Sequence, residues 1–185
     1  MLRPLLISSC ATLLALAVVG CGDAEQPAAG SATAGTPTTV AEEGGAMWLV
    51  DLDAAGKESL ASGKPILADF QGSDWCPSCQ ELHKKVFSSK RFADWAARSV
   101  VLLDVDMPQD HTHQPLAVRT ANEALVARHN VSEFPAVLIL DASGAKLASV
   151  DLNGLDFATV TPSTFIALAE AAVSSARKNG IPGKP

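Results

Sequence analysis

No tyrosine occurs in these 185 residues, and all aromatic side chains together make up 5% of the chain. An aromatic platform for stacking nucleobases is therefore not expected. Basic charge is also scarce: 14 lysines and arginines stand against 20 aspartates and glutamates, for a net charge of −6. Without a basic surplus there is no electrostatic footprint for nucleic acid, so that class of partner is set aside. The longest apolar stretch, Leu5 through Val19, is shorter than the roughly 20 residues a membrane-crossing helix needs. Cysteine is sparse as well, at four residues. What remains is an ordinary globular composition, 48% hydrophobic, with room for one domain plus extensions.

The four cysteines sort by position. Cys10 lies inside the apolar stretch and Cys21 just after it. A positive start at Arg3, a short apolar core and small residues at its end describe an export signal over 1–20. Val18-Val19-Gly20-Cys21 resembles a bacterial lipobox, which implies cleavage before Cys21 and acylation of that cysteine. The alternative is a plain secretory signal with an incidental cysteine. Several acyl chains would anchor the protein to a bilayer without a transmembrane helix, placing it in the bacterial cell envelope. From Gly22 to about Gly45 the chain is mostly Ala, Gly, Thr, Pro and Ser. Lacking large apolar residues, that segment reads as a flexible tether, with 21–46 as anchor and linker and 47–185 as the folded domain.

Strand and helix signals alternate through the folded part. Trp48-Leu49-Val50 reads as an edge strand, followed by a helix over 53–62 that Gly63-Lys64-Pro65 breaks. Ile66 to Phe70 is a strand with one polar intruder, Asp69. Leu82, Val86 and Phe87 recur at helical spacing, predicting one helix over 76–88, with a shorter one over 91–97. Val100 to Asp106 is a near-continuous apolar run, as expected of a central strand covered on both faces. A polar loop from Met107 to Gln114 leads to a helix ending near His129. Ala136 to Leu140 is another buried strand, and a turn over 141–144 leads into a strand over 146–150. Thr161-Pro162 opens the last helix. The alternation predicts an α/β domain with a mixed central sheet flanked by helices.

The remaining cysteines, Cys76 and Cys79, stand where a strand passes into a helix. There the first sulfur meets unpaired backbone N–H groups and the positive end of the helix dipole, which favour a thiolate. Pro77 suits the first helical position because its missing N–H would find no partner there. Such a pair can attack a disulfide with Cys76 and resolve the mixed disulfide with Cys79. The competing reading is half of a zinc site. Zinc in a structural site needs four ligands, and no second CxxC or HxxxH pair accompanies this one.

Lys64-Pro65-Ile66-Leu67-Ala68-Asp69-Phe70, Trp75-Cys76-Pro77-Ser78-Cys79 and Val131-Ser132-Glu133-Phe134-Pro135-Ala136-Val137 resemble the thioredoxin superfamily, from about Met47 to the final helix. The resemblance implies a thioredoxin fold with the cysteine pair at the top of the sheet. It implies a cis bond before Pro135, with exposed backbone there for pairing with substrate. Asp69 resembles the buried carboxylate that moves a proton to or from the resolving cysteine, although it stands one residue further from the motif than in ordinary thioredoxin. A solvent-facing strand end is the plainer alternative for Asp69. Phe134 occupies a position where many thioredoxins carry threonine or another small or β-branched residue. It is either a partner contact or a core aromatic, and Trp75 is likewise a partner contact or a packing residue.

Three functions follow. The first is a thiol–disulfide oxidoreductase that acts on exported proteins, takes electrons from a membrane partner and needs no cofactor beyond its own disulfide. The second is a copper-binding or copper-delivery module, in which the loop pair His111 and His113, with His83 and His129 also available, would join Cys76 and Cys79, against the commoner fate of solvated loop histidines. The third is a noncatalytic interaction domain that kept the fold.

Overall fold

Two largely buried strands, Ile66–Gln71 and Val101–Asp106, take the centre of a single sheet, and the other elements arrange around them. The computed structural model describes residues 39–41 and 45–179, all within one compact unit, Gly35–Pro185. The signal segment, Cys10, Cys21 and most of the expected tether lie outside the described residues. In chain order the elements are β1 (Thr39–Ala41), β2 (Met47–Leu49), α1 (Leu52–Ser62), β3 (Ile66–Gln71) and α2 (Pro77–Leu82). A π-helical turn (His83–Phe87) follows, then α3 (Lys90–Ser99), β4 (Val101–Asp106), α4 (Leu116–His129), β5 (Ala136–Leu140), β6 (Lys146–Ser149) and α5 (Pro162–Asn179).

The sheet order is β1-β2-β4-β3-β5-β6. β4 runs parallel to both β2 and β3, while β5 is antiparallel to β3 and β6 to β5, so the sheet is mixed as the alternation predicts. Its two faces follow the period of two along each strand. Leu67, Leu102, Val137 and Ile139 point to one face, where Leu82, Val86, Phe92 and Phe165 of the covering helices meet them. Ile66, Ala68, Phe70, Leu103 and Val105 point to the other, under Ala55 of α1 and Leu125 of α4. The helices start where short polar side chains can accept orphan N–H groups. Asp51 accepts from Ala54 (2.7 Å), Ser89 from Phe92 (3.2 Å) and Thr161 from Thr164 (3.2 Å).

Two expectations need correction. Trp48 does not lie on an edge strand. β1 pairs antiparallel with β2, setting Val40 opposite Trp48, so regular pairing begins inside the segment read as tether. Side-chain apolarity, the signal used to end the tether, is blind to a strand held by backbone hydrogen bonds. The single helix expected over 76–88 is also two pieces, because after Leu82 the chain widens into the π-helical turn. That turn carries Phe87 into an aromatic cluster, with ring centroids 5.1 Å from Trp48, 4.9 Å from Phe92 and 5.2 Å from Phe165.

Gly56, in the middle of α1, marks a close backbone crossing. A Cβ there would lie 2.4 Å from the carbonyl oxygen of Ala142 in the β5–β6 turn. Helix propensity alone favours alanine over glycine by ~1 kcal/mol. Overpacking against rigid backbone costs about 1–3 kcal/mol, so the clash wins. Gly56→Ala is therefore expected to lower Tm by about 4 °C in a thermal melt, and a raised Tm would refute the close crossing.

Candidate active site

β3 ends at Gln71, and the next four residues turn the chain into α2. The N–H of Cys76 donates to the carbonyl of Gly72 (2.9 Å), closing that turn. Cys76 is the N-cap of α2 in extended conformation, Pro77 follows in the first turn, and the N–H of Cys79 points at Cys76 Sγ (3.2 Å). The two sulfurs are bonded at 2.02 Å, with Cα atoms 5.2 Å apart, and both cysteines are buried. The cap position therefore gives Cys76 the local N–H donor that a thiolate requires.

An aromatic pair stands beside the motif. Trp75, 39% exposed, meets Phe134 edge to face with ring centroids 5.4 Å apart. The Phe134–Pro135 peptide bond is cis. The indole lies on Gly72, where a Cβ would come within 2.2 Å of it, so only glycine leaves room for this tryptophan position. Indole Nε1–H donates to the carbonyl of Met107 (2.7 Å).

That bond is one of several that lace the cysteine turn to the β4–α4 connection. Ser73 donates through its N–H and hydroxyl to the Asp106 carboxylate (2.9 and 2.7 Å). The N–H groups of Gln109 and Asp110 donate to the Asp74 carboxylate at 2.8–3.0 Å. The bonds from Asp110 and Gln109 hold the Asp74 carboxyl below the usual carboxylate range. From the far side, Gln114 and Asn122 side chains both donate to the carbonyl of Asp106 (2.9 and 2.8 Å).

Asp69 sits behind this turn on β3, 3% exposed rather than facing solvent, and its Oδ1 has no hydrogen-bond partner. Burial, and then the charges of Asp104 and Asp106, push its carboxyl well above the ordinary aspartate value. Asp104 is pushed up to about 6 by burial, against the bond it accepts from Gln71 (2.8 Å). A cavity of about 340 Å³ opens at this place, lined among others by Asp69, Gln71, Gln80, His83, Asp104 and Asp106. Sequence reasoning passed over Gln71, Asp104 and Asp106. The signal was the polar alternation Asp69-x-Gln71 and Asp104-x-Asp106 inside otherwise apolar strands.

The histidines are dispersed. His111 and His113 are exposed in the β4–α4 connection, His83 lines the cavity, and His129 stacks edge-on against Phe70 on the opposite face of the sheet. Among the described residues, no three His, Cys, Asp or Glu side chains are grouped to hold a metal ion. The arrangement as a whole offers a reversible disulfide at a helix start, a buried carboxyl in the sheet behind it and an apolar wall beside it.

Comparison with known proteins agrees with this geometry. The profile of the thioredoxin-like domain matches residues 52–155. The disulfide bond reductase DsbH of Chlamydia pneumoniae is 38% identical over 92 residues, covering 50% of this chain and 55% of that protein. The thiol:disulfide interchange protein DsbD of Ralstonia nicotianae is 31% identical over 127 residues, 69% of this chain but 18% of that longer protein. A solved structure of a DsbH oxidoreductase superposes with a TM-score of 0.57 at 30% identity, over 65% of this chain and 79% of that one. The chain thus spans about half the length of DsbH and a small part of DsbD. With the profile covering more than half of its residues and the cysteine turn at the top of a mixed sheet, the chain belongs to the thioredoxin superfamily.

Proposed function

We propose that this protein is a thiol–disulfide oxidoreductase of the bacterial cell envelope, reducing or exchanging disulfides of exported proteins through Cys76 and Cys79. The observation that carries the reading is the bonded Cys76–Cys79 pair at the start of α2, with Asp69 buried behind it. In the reduced protein the Cys76 thiolate attacks a client disulfide, forming one S–S bond as the client's breaks and a client thiolate leaves. Cys79 then gives its proton to the Asp69 carboxylate and attacks Cys76 Sγ. The Cys76–Cys79 bond re-forms, the second client thiolate departs, and two electrons have passed to the client. The reverse sequence oxidises a dithiol.

Trp75 and Phe134 supply an apolar wall for the client segment, and Pro135 would offer its backbone for strand-like pairing. Lipidation at Cys21 would hold the domain at the membrane surface, and a membrane partner would return electrons to the pair, because the compartment outside the cytoplasm is kept oxidising. The name of DsbH, a disulfide bond reductase, supports the reducing direction, and that of DsbD, a thiol:disulfide interchange protein, supports exchange.

Cys79→Ser leaves the attacking sulfur without its resolving partner. Mixed disulfides between Cys76 and envelope proteins should then accumulate on non-reducing gels and vanish in Cys76→Ser. If no cysteine-dependent adduct forms and the purified protein does not reduce insulin, the enzymatic reading fails. The equilibrium potential of the pair reads the direction: a value near about −270 mV marks a reductant of thioredoxin type, and one near about −120 mV a strong oxidant.

Asp69 also makes stability depend on pH. Its folded-state proton affinity exceeds that of an unfolded aspartate, whose pKa is about 3.9. The stability that the bound proton contributes is therefore complete below about pH 3.9 and is lost as pH rises through the folded value. Asp69→Asn removes this loss. The melting curves of variant and unsubstituted protein should coincide near pH 4 and separate upward to pH 8, with the variant more stable. Parallel curves over that range would contradict a buried, proton-binding Asp69.

A further inference from the structure

The register of β3 and β4 places four polar side chains in a square on one face of the sheet: Asp69 opposite Asp104 and Gln71 opposite Asp106. Strand periodicity puts them on the same face as Leu67 and Leu102, the face that α2 covers. Cys79 is on the buried side of that helix, and His83, one turn on, lines the cavity that the square opens into. The square therefore lies beneath the resolving cysteine's own helix face.

Hydrogen bonding across the square is graded. Asp106 accepts on both oxygens from Ser73, an arrangement that suits a carboxylate. Asp104 accepts one side-chain bond, from Gln71 Nε2. Asp69, the most buried, has an oxygen with no donor. Each step inward loses donors and water, so a proton shared between Asp104 and Asp69 settles on Asp69, and the negative charge of its neighbours keeps it there. Val137 faces Asp69 from β5, Trp48 lines the cavity from β2, Gln80 and His83 from above, and the lining contains no lysine or arginine.

We propose that Asp104 is a positioning residue for thiol–disulfide exchange: set beside Asp69 by the strand register, its charge governs when Asp69 can take the proton of Cys79. The proposal rests on the oxidoreductase reading above. In the resolving step the Cys79 Sγ–H bond breaks, its proton passes to the Asp69 carboxylate, and Sγ bonds to Cys76 Sγ as the Cys76–client bond breaks. The electron pair of that bond leaves with the client thiolate. Asp69 must be ionised to act, and a charged Asp104 delays that ionisation to higher pH. The proton then leaves Asp69 by way of the cavity.

Two measurements on the whole protein decide the matter. The first is the titration of the Asp69 carboxyl carbon by 13C NMR in the reduced state. The second is the pH profile for release of the second thiolate after rapid mixing with an aromatic disulfide. Asp104→Asn keeps the acceptor for Gln71 Nε2 and removes the charge. It should move both midpoints about one pH unit toward acid, and Asp104→Glu should restore them. At pH values below the unsubstituted midpoint the variant should resolve the mixed disulfide several-fold faster. An Asp69 midpoint that stays put in Asp104→Asn overturns the proposal, and so does a moved midpoint with an unmoved release profile. If the unsubstituted protein releases no second thiolate at any pH, the oxidoreductase reading falls, while the Asp69 titration still decides whether Asp104 controls that carboxyl.

Discussion

The parallel pairing of β3 with β4 is the constraint on which the site depends. One register, Ile66 opposite Val101 through Gln71 opposite Asp106, brings both strands to their ends at the same level. The chain leaving β3 becomes the cysteine turn, and the chain leaving β4 becomes the connection that braces it. A slip of β3 by one residue would send Asp69 and Gln71 to the opposite face, among Leu103, Val105 and Leu125. Apolar burial on that face makes such a slip costly, because a carboxyl and an amide would enter a cluster that offers them no partners. The hydrophobic core and the polar site are thus set by the same alignment.

The π-helical turn joins that alignment to the core above it. In an uninterrupted α-helix, Cys79, Leu82, Val86 and Phe87 would share a gradually drifting stripe. The wider turn seats Phe87 between Trp48, Phe92 and Phe165 while Leu82 and Val86 stay buried. Lys85 then reaches the carbonyls of Phe157 and Ala158 and pairs with Glu81 at 2.6 Å, tying the helix to the segment before α5. π-helical turns inside helices recur beside functional sites, and here one follows the cysteine pair directly.

Much of this was legible in the sequence, for physical reasons that differ by element. The strands at Ile66 and Ala136 and the central run from Val101 were readable because full burial demands continuous apolar side chains. Cys76 and Cys79 were readable because a thiol pair two residues apart at a helix start has few other uses. Thr39–Ala41 escaped because its pairing with β2 uses backbone groups, which every residue carries. The π-helical turn escaped because its pattern of Leu82, Val86 and Phe87 also fits an α-helix. Asp104 and Asp106 escaped because alternation within one strand says nothing of what faces it. Only the register shows that Asp104 meets Asp69.

The cysteine turn is held unequally on its two sides. Toward the β4–α4 connection it is fastened by directional hydrogen bonds from Ser73, Trp75, Gln109 and Asp110. Toward cis Pro135 its aromatic contact is the edge-to-face meeting of Trp75 with Phe134, which has no comparable directionality. An aromatic pair contributes about 0.5–1.5 kcal/mol beyond its burial. Each of several hydrogen bonds contributes about as much, and one to a carboxylate more. The mouth of the site therefore behaves as a jaw with one fixed side and one yielding side. Under the proposed function, a client segment would displace the Trp75–Phe134 contact before the bonds to the β4–α4 connection, and so would enter beside Phe134 with the sulfurs held from the other side.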